Sequence, residues 1–165
     1  MQNRLELSEP TIKRIHQELT CGLIDNNESG YFRRRSVTIT GTDYLPPKKE
    51  HQIKKEFARI LKEQKEYSDP LEKALFLHCN MARLQPFVDG NKRTARTIES
   101  LVLTQNNIVP VYSTKDEDFV RYRDGLLKFY ETKDYSKYAD YFLDKQIDRI
   151  NKIPPDSSTK YDLGI

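Results

Sequence analysis

The stretch that organises this chain lies between residues 85 and 96 and reads Gln85-Pro86-Phe87-Val88-Asp89-Gly90-Asn91-Lys92-Arg93-Thr94-Ala95-Arg96. Asn91 is a residue type that caps helix N-termini, and the preceding Gly90 lets a ligand approach the backbone closely. The cations Lys92, Arg93 and Arg96 would then lie at the positive end of the helix dipole, where each costs about 0.3–1 kcal/mol. A bound anion offsets that cost. The stretch therefore predicts an anion-binding helix start.

The same stretch resembles the signature of the Fic proteins, H-x-F-x-[DE]-G-N-G-R-x-x-R. The matching positions, all at the spacing of the signature, are Phe87, Asp89, Gly90, Asn91, Arg93 and Arg96. Two positions depart from it: Gln85 stands where the family has its catalytic histidine, and Lys92 stands where it has its second glycine. Because so many matches at fixed spacing are far more specific than a lone glycine-rich loop, the chain is identified as a member of the Fic family.

Hydrophobic periodicity predicts a mainly α protein. The predicted helices cover about residues 9–19, 48–65, 70 to the signature, 91–105, 114–129 and 135–150. Asp69 followed by Pro70 is typical of a helix start, and Thr114 with Glu117 predicts a capping box for the fifth helix. The resemblance likewise implies a Fic-like helical bundle. We expect a single Fic-like domain over residues 1–152, with its core at about 30–142, and a mobile tail or truncated end at 153–165.

One short β element interrupts this helical pattern. Val37, Thr38, Ile39 and Thr40 alternate apolar and polar β-branched residues before Gly41, which predicts a strand that enters a turn. The resemblance implies that this strand belongs to a short β-hairpin flap, which positions an extended segment of the target protein by pairing with it. An ordinary hairpin beneath the helices is the alternative.

The resemblance also implies an activity, that of a protein adenylyltransferase, which transfers AMP from ATP to a Ser, Thr or Tyr hydroxyl on a target protein. Its cofactors would be ATP and Mg²⁺, with Asp89 holding the metal because a hard cation prefers carboxylate oxygen. Gly90 and Asn91 would surround the α-phosphate. Arg93 and Arg96, which share one side of the helix, would pair with the outer phosphates.

Gln85 leaves the catalytic position without a base. A histidine there would take the proton of the attacking hydroxyl, whereas a glutamine amide accepts no proton at physiological pH. Because loss of a general base costs about 10²–10⁴-fold, the sequence predicts weakened or absent transfer. His78, about two helical turns earlier, is too distant to substitute. His16 and His51 have no motif context, and we expect them to be structural or exposed.

Gln85 and Lys92 leave two alternatives to AMP transfer open. The Doc branch of the family also has a lysine at this position and is associated with transfer of the terminal phosphate, so a Doc-like protein kinase acting through Lys92 is one alternative. Doc-like proteins keep the histidine, however, and they lack the second arginine that Arg96 supplies here. The other alternative is a catalytically dead Fic-fold module that binds a nucleotide or a protein.

Composition restricts the remaining classes of function. The net charge of +3 over 165 residues is too small to indicate nucleic-acid binding, although Tyr31-Phe32-Arg33-Arg34-Arg35 forms a short basic–aromatic cluster. The two cysteines form no disulfide or metal pattern. There is neither a signal-peptide core nor a run of apolar residues long enough to span a bilayer. We therefore expect no membrane partner and a cytoplasmic location.

Many Fic proteins block their own ATP site with a glutamate in an [ST]-x-x-x-E-[GN] helix. This chain has no match, because Ser113 and Glu117 have the required spacing but Asp118 follows them. We hypothesise that a separate small antitoxin-like chain supplies any restraint. Purification from the native host without a small partner would count against this hypothesis.

Overall fold

The structure of the protein is a computed structural model that describes residues 5–152, and within them it is mainly helical, as the sequence predicts. The helices are α1 (Glu9–Thr20), α2 (Glu50–Glu63), α3 (Pro70–Leu84), α4 (Asn91–Thr104), α5 (Asp116–Thr132) and α6 (Ser136–Ile150). None of these helices combines the length and the apolarity needed to cross a bilayer. The expected tail at residues 153–165 lies outside the described part of the chain.

Helix α3 forms the centre of the bundle. It packs against α4, α2 and α5, while α1 packs on α4 and α6 packs on α5. Most of its side chains are buried, which accounts for its almost continuous apolar sequence. The Asp69 carboxylate caps its start by accepting hydrogen bonds from the N–H groups of Leu71 and Glu72, as predicted. Because α3 leads through residues 85–90 into α4, the core holds this connection in place.

The predicted β-hairpin flap is wrong. Residues 36–40 form a non-helical stretch, the edge segment. This segment pairs with no second strand within residues 5–152. After the following turn the chain packs on α5: the Thr42 hydroxyl donates to Glu131 Oε1 at 2.9 Å, and the Tyr44 ring lies 6.2 Å from that of Tyr130. The returning arm is therefore held by a helix and is not available as a strand partner.

The predicted capping box at the start of α5 is also wrong. The helix begins at Asp116 after the N-cap residue Lys115, so Thr114 and Glu117 do not occupy the reciprocal positions. The Ser113 hydroxyl instead accepts a hydrogen bond from the Lys115 N–H at 3.2 Å. Acidic residues in the first turn complement the helix dipole in place of a cap.

Candidate functional site

The signature loop, residues 85–90, joins α3 to α4 through two left-handed residues. Gln85 ends α3 at φ 49°, and Gly90 adopts φ 72° immediately before α4. A Cβ atom at Gly90 would lie 2.9 Å from Thr20 Cγ2, so α1 approaches the loop too closely for any side chain there. Helix α4 begins at Asn91 with Gly90 as its N-cap, and the predicted capping role of Asn91 is wrong.

The Asn91 side chain braces the signature loop from within. Its Oδ1 accepts a hydrogen bond from the Phe87 N–H at 2.9 Å, and its Nδ2 donates to the Phe87 carbonyl at 2.9 Å and to Gln85 Oε1 at 3.1 Å. Phe87 itself is fully buried in the core. Since the Asn91 amide is hydrogen-bonded within the loop, it is not available to a ligand, and the backbone N–H groups at the start of α4 remain without a side-chain cap.

The side-chain amide of Gln85 is also hydrogen-bonded within the protein. Its Nε2 donates to the Ala82 carbonyl at 2.6 Å, and its Oε1 accepts the hydrogen bond from Asn91. At the position of the family's base, the chain therefore has an amide that is held at both ends and that takes no proton.

His16 of α1 contacts the signature loop, although no sequence motif includes this residue. Its Nε2 donates to the Asp89 carbonyl at 3.0 Å, and its Nδ1 accepts from the Gly30 N–H at 2.9 Å. Its ring stacks on Phe87 with the ring centroids 3.8 Å apart. These partners assign a neutral imidazole protonated on Nε2. The only sequence signal for this role is the place of His16 on the apolar face of α1.

Acidification should reduce the stability that His16 contributes through its contacts with the signature loop. Burial lowers the pKa of His16 below its ordinary value, and the nearby Asp89 carbonyl and carboxylate only partly offset this. The unfolded state therefore binds the proton more readily, so His16 contributes stability above about pH 6.5 that is lost as the pH falls through its folded-state pKa. We expect the unfolding free energy, measured with urea at pH 7.5 and at pH 5.5, to fall less in His16→Gln than in the wild type.

The matched control for this comparison is His51→Gln, because His51 is exposed and lies on α2, away from the loop. Its pH dependence should follow that of the wild type. Equal pH dependence in the His16→Gln and wild-type proteins would contradict the assignment of a neutral, loop-holding His16.

Arg33 connects the edge segment to the signature loop. Only 2% of this residue is exposed, and its guanidinium donates to the carbonyls of Gln85 at 2.6 Å, Arg35 at 2.9 Å and Pro47 at 2.6 Å. Burial lowers the pKa of Arg33, but a guanidinium stays charged throughout the physiological range. Since Arg35 and Pro47 flank residues 36–46, one side chain fixes both ends of this segment relative to Gln85. This arginine of the basic–aromatic cluster is thus part of the interior.

A cavity of about 830 Å³ opens between the signature loop, the start of α4 and the edge segment. The edge segment forms one wall, and Gln85, Asp89, Gly90, Asn91, Lys92 and Arg93 form another. The structure thus brings all the predicted site residues except Arg96 to one cavity. Helix α5 adds Phe119 and Arg123 to the lining. Sequence reasoning missed both, because only the packing of α5 carries them to a site that is distant in the chain.

Arg96 lies apart from this lining. Its guanidinium packs over the rings of Tyr112 and Tyr122, at 5.0 Å and 4.8 Å from their centroids. Cation–π contacts of this kind contribute about 0.5–2 kcal/mol each. The pairing of Arg96 with outer phosphates stays a prediction, and in this structure the guanidinium is occupied by the two tyrosines.

Positive charge prevails at the cavity. The Asp89 carboxylate pairs with Arg93 at 3.1 Å, which leaves Lys92 and Arg123 as the remaining charged residues of the lining. Burial, and then the nearby Arg123, lower the pKa of Lys92. No side chain caps the start of α4 and its first turn contains no acidic residue, so its N–H groups add to a field that favours an anion.

The Asp89 side chain fits a role in holding Mg²⁺. It is 66% exposed and lies at the cavity, where its hard carboxylate oxygens can reach a ligand. Among residues 5–152, no group of three or more His, Cys, Asp and Glu side chains could hold a metal ion by itself. Since Mg²⁺ is commonly held by one or two carboxylates together with substrate phosphates, Asp89 suits a metal that arrives with a nucleotide.

Comparison with known proteins agrees with the signature. The sequence profile of the Fic/DOC family matches residues 6–103. The protein adenylyltransferase Fic of Drosophila persimilis is 29% identical over 115 residues, which cover 69% of this chain and 22% of that protein. The protein of the same name in Drosophila melanogaster is 28% identical over 117 residues, covering 69% of this chain and 23% of that protein. The chain therefore spans less than a quarter of the length of these relatives.

Solved structures share the fold. Fic-1 (residues 134–508) from C. elegans matches with a TM-score of 0.73 at 22% identity, over 88% of this chain and 42% of that chain. BepC, a VirB-translocated effector protein from Bartonella tribocorum solved with bound AMPPNP, matches with a TM-score of 0.63 at 16% identity, over 84% of this chain and 73% of that chain. Because the family profile covers more than half of the sequence and contains the whole signature, the chain belongs to the Fic/DOC family.

Proposed function

We propose that the chain binds ATP with Mg²⁺ at the signature loop and transfers AMP slowly to a hydroxyl of a target protein. The observation that carries this proposal is the convergence of Asp89, Gly90, Arg93 and the edge segment on one cavity at the uncapped start of α4. The likeness of the chain to named protein adenylyltransferases supports the reaction class.

Each group at the cavity suits one part of this reaction. The N–H groups at the start of α4 and the Arg93 guanidinium would stabilise the phosphate charge. Asp89 would hold Mg²⁺, which neutralises the charge that develops on the phosphates. The hydroxyl oxygen of the target attacks the α-phosphorus, pyrophosphate leaves, and the hydroxyl proton must pass to a base.

The missing base makes the reaction slow. Both ends of the Gln85 amide are hydrogen-bonded and neither takes a proton, so the proton must leave to water. Positioning and electrostatics remain, which is why we propose a rate reduced by about 10²–10⁴-fold and not abolished.

The edge segment would position the target. Its backbone makes no hydrogen bond to other backbone groups within residues 5–152, so its N–H and C=O groups remain free for an added strand. An extended target segment could pair with residues 36–40 and present its hydroxyl at the cavity.

Labelled ATP tests the proposal. Incubation of the chain with host lysate and α-labelled ATP should give slow labelling of protein that lysate without the chain does not show, while γ-labelled ATP should give no labelling beyond that of the host kinases. Chain-dependent labelling from γ-labelled ATP alone would indicate transfer of the terminal phosphate through Lys92 and would overturn AMP transfer. Absence of label from both would leave a module that binds without transfer.

Replacing Asp89 should show whether its carboxylate holds Mg²⁺, because only the binding of ATP with Mg²⁺ should then weaken. We expect Asp89→Ala to weaken the binding of ATP at least tenfold when Mg²⁺ is present, because the metal loses the one carboxylate that residues 5–152 place in the cavity lining. Binding of metal-free ATP should not weaken, since the substitution also frees Arg93 from its ion pair. Isothermal titration calorimetry with and without Mg²⁺ measures both. Asp43→Ala is the control, as Asp43 is exposed and lies outside the lining. Unchanged affinity for Mg²⁺–ATP would contradict the metal role.

A further inference from the structure

Arg123 is a cation of the cavity that no part of the signature explains. It is exposed on α5 and lines the cavity together with Lys92 of α4. The ion pairs among residues 5–152 include Arg93 with Asp89 and Arg121 with Asp144, but none is made by Lys92 or Arg123. Two helices that are distant in sequence therefore bring two unpaired cations to one cavity.

The turn after the edge segment passes close to the Arg123 guanidinium. Gly41, at φ 93°, lies against it so closely that a Cβ atom there would be 2.7 Å from Arg123 Nη2 and 3.2 Å from Leu127 Cδ1. The turn that follows the edge segment thus rests on α5 at the guanidinium.

Lys92 and Arg123 repel each other at this cavity. Partial burial, and after it the proximity of Arg123, lower the pKa of Lys92, so its positive charge is less favourable here than on an open surface. Among residues 5–152, the only carboxylate in the lining is that of Asp89, and it is paired with Arg93. An anion bound between the two cations would relieve the repulsion.

We propose that Lys92 and Arg123 together bind the outer phosphates of a nucleoside triphosphate, an inference that rests on the proposed function. Phosphate suits the pair better than a carboxylate does, because two cations balance the two negative charges of a terminal phosphate. The planar guanidinium also matches two phosphate oxygens at once. The free N–H groups at the start of α4 line the same cavity and extend the anion site toward Gly90.

Calorimetric titration with ATP, AMP and inorganic tripolyphosphate tests this inference on the full chain. Arg123→Ala should weaken the binding of ATP and of tripolyphosphate about tenfold, as expected for one lost charge-assisted hydrogen bond, and should change the binding of AMP by less than about twofold. Arg121→Ala is the matched control, since Arg121 lies on the same helix and pairs with Asp144 outside the cavity. Its affinities should equal those of the wild type. Arg123→Gln, which keeps donors but no charge, provides a second variant if Arg123→Ala lowers the thermal midpoint.

The three ligands separate this inference from the proposed function. If the wild type binds ATP and Arg123→Ala binds it equally well, or loses AMP as strongly as ATP, the inference falls and the proposed function stands. If the wild type binds tripolyphosphate through Arg123 but does not bind ATP, the anion site stands and the proposed function falls. Binding of neither ATP nor tripolyphosphate would overturn both.

Discussion

Replacing Gln85 with histidine should raise the rate of AMP transfer by about 10²–10⁴-fold, which is the usual contribution of a general base. The rest of the cavity is already assembled around position 85, and the amide there lacks only the ability to take a proton. A histidine should also fit the backbone, since it tolerates the left-handed conformation that Gln85 adopts at φ 49° better than most residues. The measurement is the initial rate of protein labelling from α-labelled ATP.

A control variant and a pH profile show whether the faster rate comes from a general base. Gln85→Asn keeps an amide and also tolerates left-handed backbone, so its rate should stay near that of the wild type. The rate of the Gln85→His protein should rise with pH around the pKa of its imidazole, ordinarily about 6.5. Equal rates for the histidine and asparagine variants would mean that the missing base does not limit this chain.

Replacing Glu99 should produce the largest loss of stability. This residue of α4 is fully buried, and its carboxyl oxygens accept hydrogen bonds from the hydroxyls of Tyr112 at 2.8 Å and Tyr138 at 2.7 Å. His78 Nδ1 lies 3.2 Å from the same group, and His78 Nε2 is 3.1 Å from the Tyr122 hydroxyl. Burial, more than the neighbouring Glu99, raises the pKa of both Tyr112 and Tyr138, so these two remain donors at any physiological pH.

Glu99→Ala should therefore lower the free energy of unfolding by about 3–5 kcal/mol, because it opens a cavity and leaves the buried Tyr138 hydroxyl without an acceptor. The Tyr112 hydroxyl would keep only its longer hydrogen bond to the Arg96 carbonyl, at 3.4 Å. Against a typical total of about 5–15 kcal/mol, such a loss brings the domain close to unfolding. Urea unfolding followed by circular dichroism measures the change. Glu99→Gln retains one acceptor and should lose less, and Glu117→Ala on the exposed start of α5 should have little effect. A loss below about 1 kcal/mol in Glu99→Ala would contradict the structural role of this network.

The sequence by itself determined the helical elements and the family. Helix starts such as Asp69 with Pro70 are set by neighbours in the chain, because a cap bonds N–H groups only two or three residues away. The apolar stripes follow from the helical repeat in the same way. The signature between residues 85 and 96 is also local, so its spacing was enough to identify the family and to predict the anion site at the start of α4.

The tertiary structure alone decided how that site is supported. His16 reaches the signature loop from α1, Arg33 reaches it from the segment before residues 36–40, and Arg123 reaches the cavity from α5. No local pattern predicts these contacts. The prediction of a hairpin was wrong for the same reason. Strand pairing depends on what lies beside the edge segment, and α5 holds the arm that would have paired with it. Contacts between residues far apart in the chain depend on which helices pack together, and packing is a property of the whole bundle that no short stretch of sequence contains.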